Sequence, residues 1–266
     1  MSTTLDQILL ATRARVAQAK ASADMKALER FAEQHQPRGF ARALRSRSKT
    51  APAVIAELKR ASPSKGMIRG SFHPAALALD LYRSGATALS VLTEEEFFLG
   101  SLDYLVEVSA AVPLPLLRKD FIVDEFQVLE ARANCADAIL LIVAALNDQE
   151  LGTLHKRAKD VDLDVLCEVH DQQELQRAIN AGCEIIGVNN RNLKTFHVDL
   201  ATAEKLGSEI PGSALKVAES GINSHSDIAR LRAVGYQAFL IGESLMREDR
   251  PGQALSTLLN PESVTS

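Results

Sequence analysis

Tryptophan is absent from this chain of 266 residues, cysteine occurs only three times, and aromatic residues make up just 5%. Cys135, Cys167 and Cys183 are too few and too scattered for a disulfide framework, and no close pair among them suggests zinc or thiol redox chemistry. A reducing cytoplasm fits that usage. No apolar run approaches the roughly 18 residues of a membrane span. Met1-Ser2-Thr3-Thr4-Leu5-Asp6 carries no basic stretch ahead of an apolar one, so no secretory signal is expected either. Nor does one sign of charge prevail: 30 basic against 34 acidic residues leave a net charge of −4, too mild a field to hold nucleic acid or an anionic membrane. Any anion site must be local.

What is present suits one large globular domain. Hydrophobic residues at 46% can fill a core, and an α/β barrel uses roughly 250 residues as a single unit. Leu5, Ile8, Leu9 and Val16 recur near a 3.6 period and lead into a polar, alanine-rich stretch ending about Gln36, which predicts a packing helix. Pro37-Arg38-Gly39 breaks it. Arg38, Arg42, Arg45, Arg47 and Lys49 follow with no acidic residue between them, and read as a solvated lid or connector in preference to a nucleic-acid patch.

After Pro52 short apolar runs alternate with amphipathic segments. Strands are expected at Ala53–Lys59, Ala88–Leu92, Leu114–Lys119, Ala138–Val143, Asp164–Val169, Glu184–Val188, Leu215–Glu219 and Ala238–Gly242, with helical patterns between them from Pro74–Arg83 to Gly252–Leu259. The runs are apolar throughout, as in parallel strands buried on both faces. An open doubly wound sheet competes with a closed barrel. The number of units, the length and the lack of a glycine fingerprint after the first strand favour an α/β fold of the (β/α)8 TIM barrel type, over 51–266, with an N-terminal helical extension over 1–50.

In such a barrel the active site lies at the C-terminal ends of the strands, and here those ends are charged. Glu57 and Lys59, Lys119, Glu168 and Glu219 all end odd-numbered strands, so they are expected to converge in the topmost layers of the interior. Mixed cations and carboxylates at close range shift one another's proton affinities and suit acid–base chemistry; the alternative is a structural ion-pair network. A separate signal lies in the last two loops, Glu219-Ser220-Gly221-Ile222-Asn223 and Gly242-Glu243-Ser244-Leu245, where glycine turns would let a phosphate approach backbone N–H groups. Ser62 and Lys59 would complete that grip. Phe97-Phe98 and Phe121 would either sandwich a flat ring or plug the mouth. The six histidines show no metal spacing, His170 alone lies near a strand end, and a loop or surface position is its default; no metal is expected.

Seven segments, in order, carry a resemblance: Ile55-Ala56-Glu57-Leu58-Lys59-Arg60-Ala61-Ser62-Pro63-Ser64, Ser90-Val91-Leu92-Thr93-Glu94, Leu117-Arg118-Lys119-Asp120-Phe121-Ile122, Glu168-Val169-His170, Gly187-Val188-Asn189-Asn190-Arg191-Asn192-Leu193, Ala218-Glu219-Ser220-Gly221-Ile222 and Leu240-Ile241-Gly242-Glu243-Ser244-Leu245-Met246. Over nearly the whole chain they resemble the indole-3-glycerol phosphate synthases of tryptophan biosynthesis. The resemblance implies a carboxy-lyase that converts 1-(2-carboxyphenylamino)-1-deoxyribulose 5-phosphate to indole-3-glycerol phosphate, carbon dioxide and water without a cofactor. It also implies a cytoplasmic monomer or weak homodimer whose partner is the small phosphosugar substrate, with neither nucleic acid nor membrane. By the family's pattern Lys119 is the general acid of ring closure, and Lys59 meets the substrate carboxylate or the leaving hydroxyl. Glu168 is the second acid/base, Glu57 orients the lysines, and Asn189 supports Glu168 or the substrate hydroxyls. Arg191, Ser220 and Glu219 would hold the polar chain of the substrate, while Phe98, Phe121 and Leu193 would line its ring. The phosphate would fall to Lys59, Ser62, Gly221, Gly242, Ser244 and the backbone of Glu243. Two alternatives remain at this point: a phosphosugar aldolase or isomerase using Lys119 as a Schiff-base amine, and a non-catalytic phosphate-ligand binder.

Overall fold

Apolar alternation within each strand sorts the side chains of this protein into two cores. In the computed structural model, which describes residues 3–260, the strands are β1 (Ala53–Leu58), β2 (Ala88–Leu92), β3 (Leu116–Lys119), β4 (Ala138–Ile142), β5 (Asp164–Val169), β6 (Ile185–Asn189), β7 (Leu215–Glu219) and β8 (Ala238–Ile241). Each pairs in parallel with its neighbours in the chain, and β8 returns to β1 in the register Ala53↔Ala238 to Ala56↔Ile241, closing the barrel. Val54, Ala56 and Leu58 face the surrounding helices. Ala53, Ile55, Leu117, Leu140, Leu166, Val217 and Leu240 fill the interior. Continuing that two-residue alternation upward places Glu57, Ser90, Lys119, Glu168, Gly187, Asn189 and Glu219 on the inner face.

The helices are α1 (Thr4–Ser22), α2 (Met25–Gln34), α3 (Phe40–Ser48), α4 (Pro74–Arg83), α5 (Asp103–Ala111), α6 (Glu125–Ala133), α7 (Asp148–Asp160), α8 (Gln172–Asn180), α9 (Ala201–Gly207), α10 (His225–Ala233), α11 (Glu243–Met246) and α12 (Pro251–Leu259). The expected single N-terminal helix is two, because Ala23 adopts an extended conformation and the Asp24 side chain caps α2 by accepting from Ala27 N at 3.0 Å. α1 crosses the C-terminal rim, where Arg15 reaches Asp120 (3.3 Å), Lys20 reaches Asp124 (3.0 Å) and Arg13 reaches Glu150 (3.0 Å).

The basic segment after Gly39 is not a lid, although Arg42, Arg47 and Lys49 are exposed as in a solvated connector. It forms α3, and Phe40 and Leu44, four residues apart on one face, are fully buried in the barrel interior. They close its lower end. The arginines follow from that position: Arg38 donates to the Leu114 carbonyl (2.6 Å) and Arg45 to that of Ser213 (3.1 Å), satisfying loop carbonyls at the N-terminal ends of strands. Asp137, fully buried, accepts from Leu116 N and Arg38 N, both at 2.7 Å, and faces His35 Nε2 at 3.1 Å, fastening the extension to the barrel.

The cysteines also depart from expectation. Cys167 of β5 and Cys183, just before β6, are joined by a disulfide with Cα atoms 6.4 Å apart. Their separation of 16 residues in sequence hides the fact that one strand–helix unit returns the chain beside its start. Cys135 is free and half-buried. No helix among the described residues is long and apolar enough to cross a membrane.

Candidate active site

At the upper end of the interior the hydrocarbon core gives way to a charged layer. Lys119 Nζ lies 3.5 Å from Glu168 Oε2 and 3.9 Å from Glu57 Oε2, while Lys59 Nζ stands 2.6 Å from Glu57 Oε1. Ser90 donates to Glu57 Oε2 at 3.3 Å, and Asn189 Nδ2 to Glu168 Oε1 at 3.1 Å. Glu57, Glu168 and Glu219 are each no more than 2% exposed, so water screens little of this charge.

Burial and neighbours then divide the carboxyls. Burial pushes Glu57 up, but Lys59 and Lys119 outweigh it and hold the group below the usual carboxylate range. Glu168 is likewise lowered, with Lys119, His170 and Asn189 overcoming its desolvation. Glu219 goes the other way: burial and the charges of Glu168 and Glu57 raise it well above an ordinary glutamate, against the pull of Lys119. Lys119 resists its own burial because Glu168, Glu57 and Glu219 favour the ammonium, and its pKa lies above the lysine norm. The site therefore sets an ammonium beside carboxyls whose proton affinities are pushed in opposite directions, the separation that acid–base chemistry uses.

Two adjoining cavities open above this layer. The inner one, about 140 Å³, is lined by Glu57, Lys59, Ser62, Phe98, Lys119, Phe121, Glu168, Asn189, Arg191, Leu193, Glu219 and Ser220, and α1 contributes Leu5 and Ile8 to its wall. Phe98 and Phe121 stand with ring centroids 6.2 Å apart. Phe98 is held there by buried Glu94, whose Oε2 accepts from the N–H groups of Phe97 (2.7 Å) and Phe98 (3.0 Å). The outer cavity, about 520 Å³, is lined by Lys59, Arg191, Ser220, Gly221, Gly242, Glu243 and Ser244. Ser62 lines only the inner one.

Sequence reasoning missed Lys65 and Arg247, which add two cations to the outer wall. It also assigned the glycines one role where they have two. Gly221 (φ +79) follows Ser220 (φ +65) in a left-handed turn, and a Cβ on it would stand 2.6 Å from Val198. A Cβ on Gly242 would stand 2.6 Å from Glu57 Oε1, so this residue makes room for a carboxylate as well as facing the cavity. Glu243 turns its carboxylate toward Arg191 (3.2 Å) and Arg247 (3.0 Å). Ser244 Oγ donates to the Ile222 carbonyl at 3.2 Å and ties the last two loops together. His170 is not a surface residue; its side chain is 10% exposed and lies against Glu168. Among the described residues no group of three or more His, Cys, Asp or Glu side chains converges in a metal-binding arrangement.

Comparison with known proteins supplies the family. The family model for indole-3-glycerol phosphate synthase matches residues 5–258. The chain belongs to the indole-3-glycerol phosphate synthase family. Its relatives include the indole-3-glycerol phosphate synthase of Koribacter versatilis, 56% identical over 97% of this chain and 100% of that protein. That of Rhodospirillum rubrum is 48% identical over 97% and 100%. Among solved structures, KGPDC from Streptococcus mutans superposes with a TM-score of 0.59 at 13% identity, covering 79% of this chain and 96% of that one. A mandelate oxidase mutant gives 0.58 at 20% identity, with 80% and 71% covered. Those two likenesses concern the barrel fold alone. Membership in the synthase family makes the charged layer a candidate for ring closure, decarboxylation and dehydration.

Proposed function

We propose that this site converts 1-(2-carboxyphenylamino)-1-deoxyribulose 5-phosphate to indole-3-glycerol phosphate, with Lys119 as the acid of ring closure. The observation that carries the reading is the position of Lys119 Nζ between Glu168 Oε2 (3.5 Å) and Glu57 Oε2 (3.9 Å), at the base of a cavity with aromatic residues in its wall. The substrate phosphate occupies the outer cavity near Gly221, Gly242 and Ser244, with Lys65 and Arg247 as added cations. Its aryl ring lies toward Phe98, Phe121 and Leu193. As the carboxylate-bearing ring carbon attacks the ketone, Lys119 gives a proton to the developing alkoxide, and the new carbon–carbon bond interrupts aromaticity. Breaking the bond to the carboxylate then releases carbon dioxide and restores the ring. Dehydration follows: Lys59 protonates the departing hydroxyl and Glu168 takes the proton from carbon, while Asn189 steadies Glu168 and Glu57 orients both lysines.

The favoured ammonium form of Lys119 supports donation over Schiff-base chemistry, which needs a neutral amine. On the same reading residues 1–50 are an extension covering a barrel of 51–266, of which 1–2 and 261–266 lie outside the described residues, and the protein is a cytoplasmic monomer or weak homodimer. Replacing Lys119 by Met tests the assignment: turnover should vanish while affinity for a phosphate-bearing product analogue changes by less than about tenfold, the pattern of a group acting in the transition state. An equal loss of binding, or retained turnover, would overturn it.

A further inference from the structure

His170 is a buried titratable group with no part in the steps above. It follows Glu168 by two residues on the same chain, and its Nε2 lies 3.2 Å from Glu168 Oε1, the oxygen that also receives Asn189 Nδ2 at 3.1 Å. On the other side of the ring, Nδ1 lies 2.9 Å from Glu174 Oε2, and the same oxygen accepts the His170 backbone N–H at 2.8 Å. Glu174 is placed by local rules: Asp171 caps α8 by accepting from Glu174 N at 2.9 Å, and the residue three after a cap points back over the helix start. The ring is thus gripped by one rigid helix terminus and presented to the carboxylate.

We propose that His170, anchored by Glu174, is a positioning residue for Glu168, holding Oε1 so that Oε2 faces Lys119 and the substrate. This deepens, and rests on, the reading of Glu168 as an acid/base. Three features carry it. Both ring nitrogens face carboxylate oxygens, Nδ1 in a hydrogen bond with Glu174 and Nε2 at ion-pair distance from Glu168 without the geometry of a hydrogen bond, a setting that favours the imidazolium. Desolvation opposes that form, but Glu168 and Glu174 outweigh it and raise the pKa to about 10. Glu168 Oε2 accepts no hydrogen bond and faces only the Lys119 ammonium, at 3.5 Å, so it is the oxygen not already engaged by His170 and Asn189. The other charged and titratable groups around His170 are Asp171 from its own turn, Asp6 from α1, and Arg191, Lys194, His197 and Asp199 beyond β6, all lining a cavity of about 630 Å³ that His170 and Glu174 also border. The ion pairs of the ring are with Glu168 and Glu174, so its charge state follows chiefly from those two.

The test is the pH profile of kcat and KM for His170→Ala and His170→Gln between about pH 4 and pH 9. Removing the cation raises the Glu168 pKa, so the acid limb of the rate should move to higher pH in both variants. In His170→Ala the plateau kcat should fall on the order of ten- to a hundredfold, the scale of a misplaced catalytic group, with KM changed by less than about threefold because the ring does not touch substrate. Glutamine, a neutral donor of similar reach, should recover much of the plateau while keeping the displaced limb. If His170→Ala fails to fold by near-ultraviolet circular dichroism, Glu174→Gln should displace the limb in the same direction. An acid limb identical to that of the unaltered protein in the folded variants overturns the proposal. Glu168→Gln separates the positioning role from the reading beneath it. Full activity in that variant sinks the acid/base reading itself, whereas an inactive Glu168→Gln beside an unshifted His170→Gln profile sinks only the positioning role.

Discussion

A side chain on Gly187 would overlap the carboxyl of Glu219: an added Cβ falls far inside van der Waals contact with Oε1 and 3.1 Å from a methyl of Leu166. Glycine in the middle of β6 is a poor strand former. Here it gives a buried carboxyl from the next strand a place to lie, beside Glu168 and within the field of Lys119.

Gly187→Ala should therefore act through Glu219. The methyl must displace the carboxyl, which disturbs the charged layer, so kcat should drop at least about tenfold. Crowding of this kind costs about 1–3 kcal/mol of stability. Steady-state kinetics with a parallel thermal melt check both numbers; a fully active variant would show that the Glu219 position is indifferent.

Alkaline pH should loosen the extension. Burial lowers the pKa of His35, but Asp137 and Cys135 more than compensate and raise it from 6.5 to about 9. A raised folded-state pKa means that this contribution to stability is complete below pH 6.5 and is lost as the pH climbs through about 9. Tm measured across that window should decline more steeply for the unaltered protein than for His35→Gln. Parallel curves would remove His35 from the account.

Glu243 should weaken anion binding in the outer cavity. Its carboxylate occupies Arg191 (3.2 Å) and Arg247 (3.0 Å), two of the cations that border the proposed phosphate position. Partly exposed pairs are worth about 0.2–1 kcal/mol, so Glu243→Gln should tighten inorganic phosphate binding by up to about fivefold at low salt, and less at high salt. Isothermal titration at two ionic strengths measures this. Weaker binding would mean that the carboxylate orients the arginines for phosphate instead.

Much of this was legible in the sequence because barrel strands announce themselves. Ala88–Leu92, Asp164–Val169 and Leu215–Glu219 have the bounds that their apolar runs suggest, β1, β3, β4 and β8 differ by one or two residues at one end, and β6 is shifted by one residue at both. The convergence of Glu57, Lys119 and Glu168 followed from counting odd strands and applying a period of two. What stayed hidden depended on tertiary partners. The arginine-rich stretch looked like a lid because its docking is set by carbonyls on distant loops and by two apolar side chains that only a closed barrel can receive. His170 looked like a surface residue because its burial depends on the loop folding its ring against Glu168 and Glu174. Lys65 and Arg247 sit in segments with no periodic signal, and only proximity to Gly221 and Gly242 gives them meaning.

Arg118 and Lys119 are consecutive cations whose fates diverge completely. Arg118, 1% exposed, turns outward to Asp120 (3.1 Å), Glu130 (2.8 Å) and the Gln127 carbonyl (2.9 Å), while Lys119 turns inward to the reacting layer. Only the pleat of a four-residue strand tells them apart. A deletion or insertion of one residue ahead of Leu116 would present a guanidinium to the chamber and strand an ammonium among the helices, with no change in net charge or composition at that edge. The chemistry of this protein is thus written in the parity of a count, and a frame error of one residue would erase it while leaving the charge inventory of the strand intact.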